Sequence, residues 1–205
     1  SAGRIDWTDL PVTEAYPMGA PDLARRGWGV KTLFQPFENM KLGIHRPTVK
    51  GPDKTALAGR SWVNGSAKPM STAFKTWMWQ CTRATLGYAH AEIAHYATQS
   101  QEAFLRRAAR GNVNAKPDKY SPTYFAVFDL NEERLDGLSR FADATNMRVA
   151  EYLADPVLAD LHSRALAWHE VARETLRAAP EVEARMAALA QAGAIPLDRL
   201  NELLF

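Results

Sequence analysis

Proline spacing constrains this 205-residue chain most, because seven of its twelve prolines fall at positions 11, 17, 21, 36, 47, 52 and 69. Each removes an interior amide donor and crowds the preceding helical turn, so no helix longer than about two turns fits among them. Eight of the twelve glycines lie in the same third and loosen the backbone further. No sustained apolar/polar alternation argues for strands. Residues 1–70 therefore read as an extended irregular arm that binds a partner, and residues 71–205 as a helical domain.

The arm is not polar filler. Trp7, Tyr16, Trp28, Phe34, Phe37 and Trp62 are spread along it, with aliphatic residues between them. Disordered tails are poor in such residues, and leaving one large apolar side chain wet forgoes about 1.5–3 kcal/mol. Aromatic side chains are enriched among fully desolvated interface anchors, so these six are the expected partner-interface residues.

From Ser71 the pattern becomes helical. With Ser71 or Thr72 as cap, no proline before Arg110 and Gly111 as a left-handed stop, the simplest reading is one helix of about 40 residues, about 60 Å long. Its stripes, Phe74, Met78, Cys81, Thr85, Tyr88 and Trp79, Leu86, Ile93, Ala97, put its first half at the centre of the domain. A loop is expected from Asn112 to Val127. Asp129 with Glu132 reads as a capping box, opening a helix whose inward stripe is Leu135, Leu138, Phe141 and Ala142. Asp155-Pro156 starts the next, with Val157, Leu161, Ala165, Trp168 and Ala172 as its inward stripe. Pro180 and Pro196 open two more, and Gly193 closes the first of these. The expected fold class is all-α: a long central helix plus shorter antiparallel helices, with an irregular N-terminal arm.

Charge and composition exclude several classes. The formal net charge is +2 with both signs interleaved, a field too weak to predict a nucleic-acid partner. The most apolar stretch, Thr76 to Ala97, is broken by Arg83, His90, Glu92 and His95, so no membrane span is expected and any membrane association is peripheral. Cys81 is the lone cysteine and is expected to behave as a small buried hydrophobe in a reducing compartment. The opening Ser1-Ala2-Gly3-Arg4 is what a cleaved targeting peptide or a tag scar would leave.

Candidate chemistry is sparse. Glu92-x-x-His95 has the spacing of half a di-iron site, but it occurs once, and His162, His169 and Glu170 do not repeat it. His90 and His95 are five apart, over 100° apart on a helix, and cannot clasp one zinc ion. Gly27-Trp28-Gly29-Val30-Lys31-Thr32 lacks the glycine spacing of a phosphate loop, and Asn64-Gly65-Ser66 reads as a turn. Arg83 with His90, and Arg164 with His169, stand at spacings that resemble the Arg-x4-6-His motif of HEPN ribonucleases, an all-helical family, and that resemblance implies RNA cleavage. Ala84 and Ala165 stand where that family often has a polar residue. No catalytic residue, cofactor or metal ligand is therefore expected.

In style the chain resembles accessory subunits of mitochondrial energy-converting complexes, the respiratory complexes and ATP synthase. No motif carries that resemblance, so it assigns no residue. It implies a non-catalytic structural subunit, mitochondrial and peripheral to the inner membrane, whose partners are other protein subunits. The alternatives are a bacterial cytoplasmic interaction protein, effector or chaperone-like, and a HEPN-like or metal-binding helical enzyme.

Overall fold

The computed structural model describes residues 6–51, 55–111 and 120–203. In chain order its elements are α1 (Val12–Ala15), β1 (Met18–Gly19), β2 (Met40–Leu42), β3 (Pro47–Val49), α2 (Thr55–Ala58), α3 (Gln101–Arg110), α4 (Pro122–Phe128), β4 (Glu133–Arg134), α5 (Ala142–Leu153), α6 (Pro156–Arg177), α7 (Val182–Gly193) and α8 (Leu197–Glu202). Helices dominate at 49%, but 7% of the structure is strand, so the all-α expectation is corrected. Two small antiparallel sheets account for the strands: β1 pairs with β4, Met18 opposite Arg134, and β2 pairs with β3, Met40 opposite Val49.

The long central helix over residues 71–110 is also corrected. Only its last quarter is α-helical, and Ser100 caps it, its hydroxyl accepting from the Ala103 amide at 3.1 Å. Upstream, the backbone groups a helix would need are taken by other partners. Asn64 donates from Nδ2 to the Thr85 and Leu86 carbonyls, while the amides of His90 and Ala91 donate to the Gly65 carbonyl. Arg46 donates to the Thr76 and Met78 carbonyls, and the Val30 amide to that of Trp79. Threonine and tryptophan are weak helix formers, so Trp77, Trp79, Thr82 and Thr85 offer little resistance to this capture. Asn64-Gly65-Ser66 is indeed a turn, and together with Arg46 it holds the segment out of a helix.

Further on, α4 forms where a loop was expected. Ser121 caps it, Pro122 sits at its first position, and Asp129 ends it rather than opening the next helix. The residues after Asp129 make β4 and a 3-10 turn, Asp136–Phe141, before α5 begins. The Asp155-Pro156 start of α6 holds as expected, Asp155 Oδ1 accepting from the Val157 and Leu158 amides at 2.8 and 3.2 Å. Gly111, at φ +86°, provides the expected stop of α3.

By contacts the chain divides into two units, one of residues 1–24 with 96–205 and the other of residues 25–95. Residue 70 lies inside the second. The first unit holds two apolar clusters. Phe104, Leu105, Phe125, Leu176, Val182 and Leu189 join α3, α4, α6 and α7, while Ala24, Ala126, Val127, Leu130, Ala192 and Leu200 join α4, α7 and α8. Phe104 meets Phe125 edge-on at 5.0 Å. The second unit has a thin core: among its described residues only Pro47, Val49, Leu57 and Phe74 are buried.

Candidate functional site

α3 and α6 are fastened to each other by charge inside the first unit. Glu102 lies in the first turn of α3, fully buried, and both its oxygens are used. Oε2 accepts from Arg173 Nε at 3.0 Å and from the Trp7 amide at 2.7 Å, and Oε1 accepts from Arg177 Nε at 2.9 Å. Arg173 also reaches Glu170, and Arg177 reaches Asp6. Burying a carboxylate is costly unless it is paired and hydrogen-bonded, and here that condition is met.

One turn further along, Arg106 Nη2 donates to His169 Nδ1 at 2.7 Å. The Trp7 ring stacks on His169, centroids 5.4 Å apart, and the Arg173 guanidinium lies over the other ring system of the stack at 5.5 Å from the Trp7 centroid. His169 is held below its ordinary pKa by burial and, second, by the Arg106 charge. Residues 6–7 are thereby clasped onto α3 and α6.

The other side of α6 is largely open, with only the Arg106 guanidinium reaching over the Trp168 ring at 5.6 Å. Val157, Leu161, Trp168 and Val171 are each more than half exposed, and their spacings of four, seven and three residues put them on one face. This is where the structure departs most from expectation, since Val157, Leu161 and Trp168 were assigned to the core. The faces turned inward carry Leu176, buried, and His169 and Arg173, half-buried. The adjoining helix α5 packs on α6 yet has no buried residue, leaving Met147 and Tyr152 exposed as well. The α5–α6 hairpin thus carries a bare apolar stripe on a helix fixed by the Glu102 clasp.

Of the six expected interface residues, two lie in the first unit and four in the second. Trp7 is clasped as described, and Tyr16 is buried beside Tyr96, centroids 6.4 Å apart. In the second unit Trp28 is half-buried, Phe34 is exposed, Phe37 lies under the Arg60 guanidinium at 4.5 Å, and Trp62 is half-buried near Lys75 Nζ. The most open tryptophans are instead Trp77, 68% exposed, and Trp168, 64% exposed.

The other candidates do not converge. Glu92 and His95 lie in an exposed irregular segment, not on a helix, and no group of three or more potential ligands among the described residues could hold a metal ion. Arg164 pairs with Asp160 at 3.6 Å, while His169 is taken by Arg106 and Trp7 on another face. Arg83 and His90 are both exposed outside any helix. Cys81 is half-buried rather than in a helix core, its thiol pushed up in pKa by burial, with a smaller opposing hydrogen bond from Thr85. An open cavity of about 340 Å³ is lined by Gln101, Asp129, Asn131 and Glu132 with Leu189. Among the described residues no helix is long and apolar enough to cross a membrane. Compared with protein-family models, with curated proteins and with solved structures, the chain has no match.

Proposed function

We propose that this chain is a non-catalytic structural subunit of a multi-protein assembly, and that it docks through the α5–α6 hairpin. The observation that carries the reading is the open stripe Val157, Leu161, Trp168 and Val171 on a helix whose other side is locked by buried charge. An apolar face of this kind on a rigid element marks a protein-interaction surface, and its repeat suits a helix-in-groove or helix-on-helix contact. The setting that best fits the aromatic-rich first third, the single cysteine and the mild net charge is a mitochondrial energy-converting complex, peripheral to the inner membrane.

The test compares the wild-type chain with a Leu161→Glu, Trp168→Glu variant, each carrying a tag in cells. Wild type should migrate at the size of a large complex on native gels and keep a fixed stoichiometry with defined subunits. The variant should run free with unchanged helix content. A wild-type chain that runs as a lone 22.8 kDa monomer under the same conditions would falsify the reading.

A further inference from the structure

The second unit carries a charge that the chain total conceals. Residues 25–95 hold eleven Lys and Arg against three Asp and Glu, a net charge of +8, whereas the rest of the chain holds fourteen against twenty. Such segregation points to an anionic partner for this unit alone.

Its geometry narrows the class. Three stretches of chain are stitched together at His45 and Arg46, within the turn that joins β2 to β3. Lys31 Nζ donates to the Ile44 carbonyl at 2.9 Å, Thr32 Oγ1 to the His45 carbonyl at 2.8 Å, and His45 Nδ1 to the Val30 carbonyl at 2.9 Å. Arg46 binds the carbonyls on either side of Trp77, and the His45 ring lies 5.2 Å from that of Trp79. Around this junction the apolar side chains project instead of packing. Leu33 is 86%, Ile44 75%, Leu42 70% and Trp77 68% exposed, with exposed Lys31, Lys41 and Lys50 on the same stretches.

We propose that this junction seats the protein on a bilayer surface rich in anionic phospholipid. Leu33, Leu42, Ile44 and Trp77 enter the boundary between headgroups and acyl chains, and the lysines meet lipid phosphates. Projecting aliphatic residues with a tryptophan, interleaved along the chain with exposed lysines, match that layered environment, apolar below and anionic above. A single-stranded nucleic acid would match the charge and could stack on Trp77 and the less exposed Trp79 and Tyr88, but the most exposed side chains, Leu33, Ile44 and Leu42, are aliphatic and suit acyl chains better than bases. The proposal is independent of the α6 stripe, which lies in the other unit.

The test is flotation of the full chain with vesicles of neutral phosphatidylcholine, or with about a third of the lipid replaced by cardiolipin or phosphatidylglycerol. Binding should appear only with anionic lipid, weaken at high salt, and blue-shift tryptophan emission. Lys41→Glu with Lys50→Glu should lower the affinity at least about 25-fold, since each lysine near such a surface is worth about fivefold. Leu42→Ser with Ile44→Ser should lower it independently, and Trp168→Ala should leave it unchanged; circular dichroism checks that each variant is folded. Equal binding to neutral vesicles overturns the proposal, as does anionic binding that survives both double variants. So does a chain that ignores vesicles, including one that binds a single-stranded RNA oligomer instead.

Discussion

Glu102 and Arg173 meet at 3.0 Å between α3 and α6, the glutamate side chain wholly withdrawn from solvent and that of the arginine only 14% exposed. Removing one member of such a pair leaves the other buried and unpaired, which typically costs about 3–5 kcal/mol. Glu102→Ala should therefore destabilise the first unit by about that much in chemical denaturation, and a loss below about 1 kcal/mol would contradict the clasp. Arg177→Ala should cost far less, because Arg177 is half exposed and water screens its pairing.

Acid should loosen the same clasp. The pKa of His169 is depressed by burial and by Arg106, so the folded state prefers the neutral ring whose Nδ1 accepts from Arg106. A depressed pKa contributes stability that is fully present above the unfolded value, about 6.5, and is lost as pH falls through the lower folded value. Protection of the Trp7 amide against hydrogen exchange, taken relative to its intrinsic rate, should fall as pH drops below about 6.5, and a His169→Asn variant should show a flatter profile over that range.

Leu161→Ala separates folding from docking. At 51% exposure its loss should change the stability of the isolated chain by no more than about 0.5 kcal/mol. Assembly, read as retention in the large complex, should fall about tenfold or more if the stripe is the docking face. A variant as well assembled as wild type places the docking face elsewhere.

Asn64 should matter more than a turn residue ordinarily does. Its Oδ1 accepts from the Ser66 and Lys68 amides at 3.0 Å while its Nδ2 serves Thr85 and Leu86. Asn64→Ala should cost about 1–3 kcal/mol and expose residues 85–91 to limited proteolysis. Gly65→Ala should be worse, because an added Cβ would collide with the Ala91 and Gly87 carbonyl oxygens, which are backbone and cannot swing aside.

The later helices were legible because local chemistry marks their ends: Asp155 and Pro156 open α6, and Gly193 closes α7. The stretch from Ser71 to Ser100 was not, because freedom from proline permits a helix without requiring one. Asn64 and Arg46, distant in sequence, decide the matter by capturing its carbonyls. The stripe Val157, Leu161, Trp168 was equally plain in the sequence, but periodicity reveals only that a face is apolar, not what covers it. Glu102 gave no signal at all, since a glutamate in a first helical turn is ordinarily solvated. The charge of residues 25–95 could have been counted at once, had the limits of the unit been known.

The clasp has a temporal side. Asp6 waits for Arg177, 171 positions later, and the Trp7 amide waits for Glu102, 95 positions later, whereas the bonds of Arg46 to Thr76 and Met78 and of Asn64 to Thr85 and Leu86 span at most 32 positions within residues 25–95. A ribosome delivers the chain from its first residues onward, so the middle can organise while the leading segment still lacks its receptor. Until both α3 and α6 have emerged, Trp7 lacks part of its seat, and the opening residues of this unit must wait for chain made long after them.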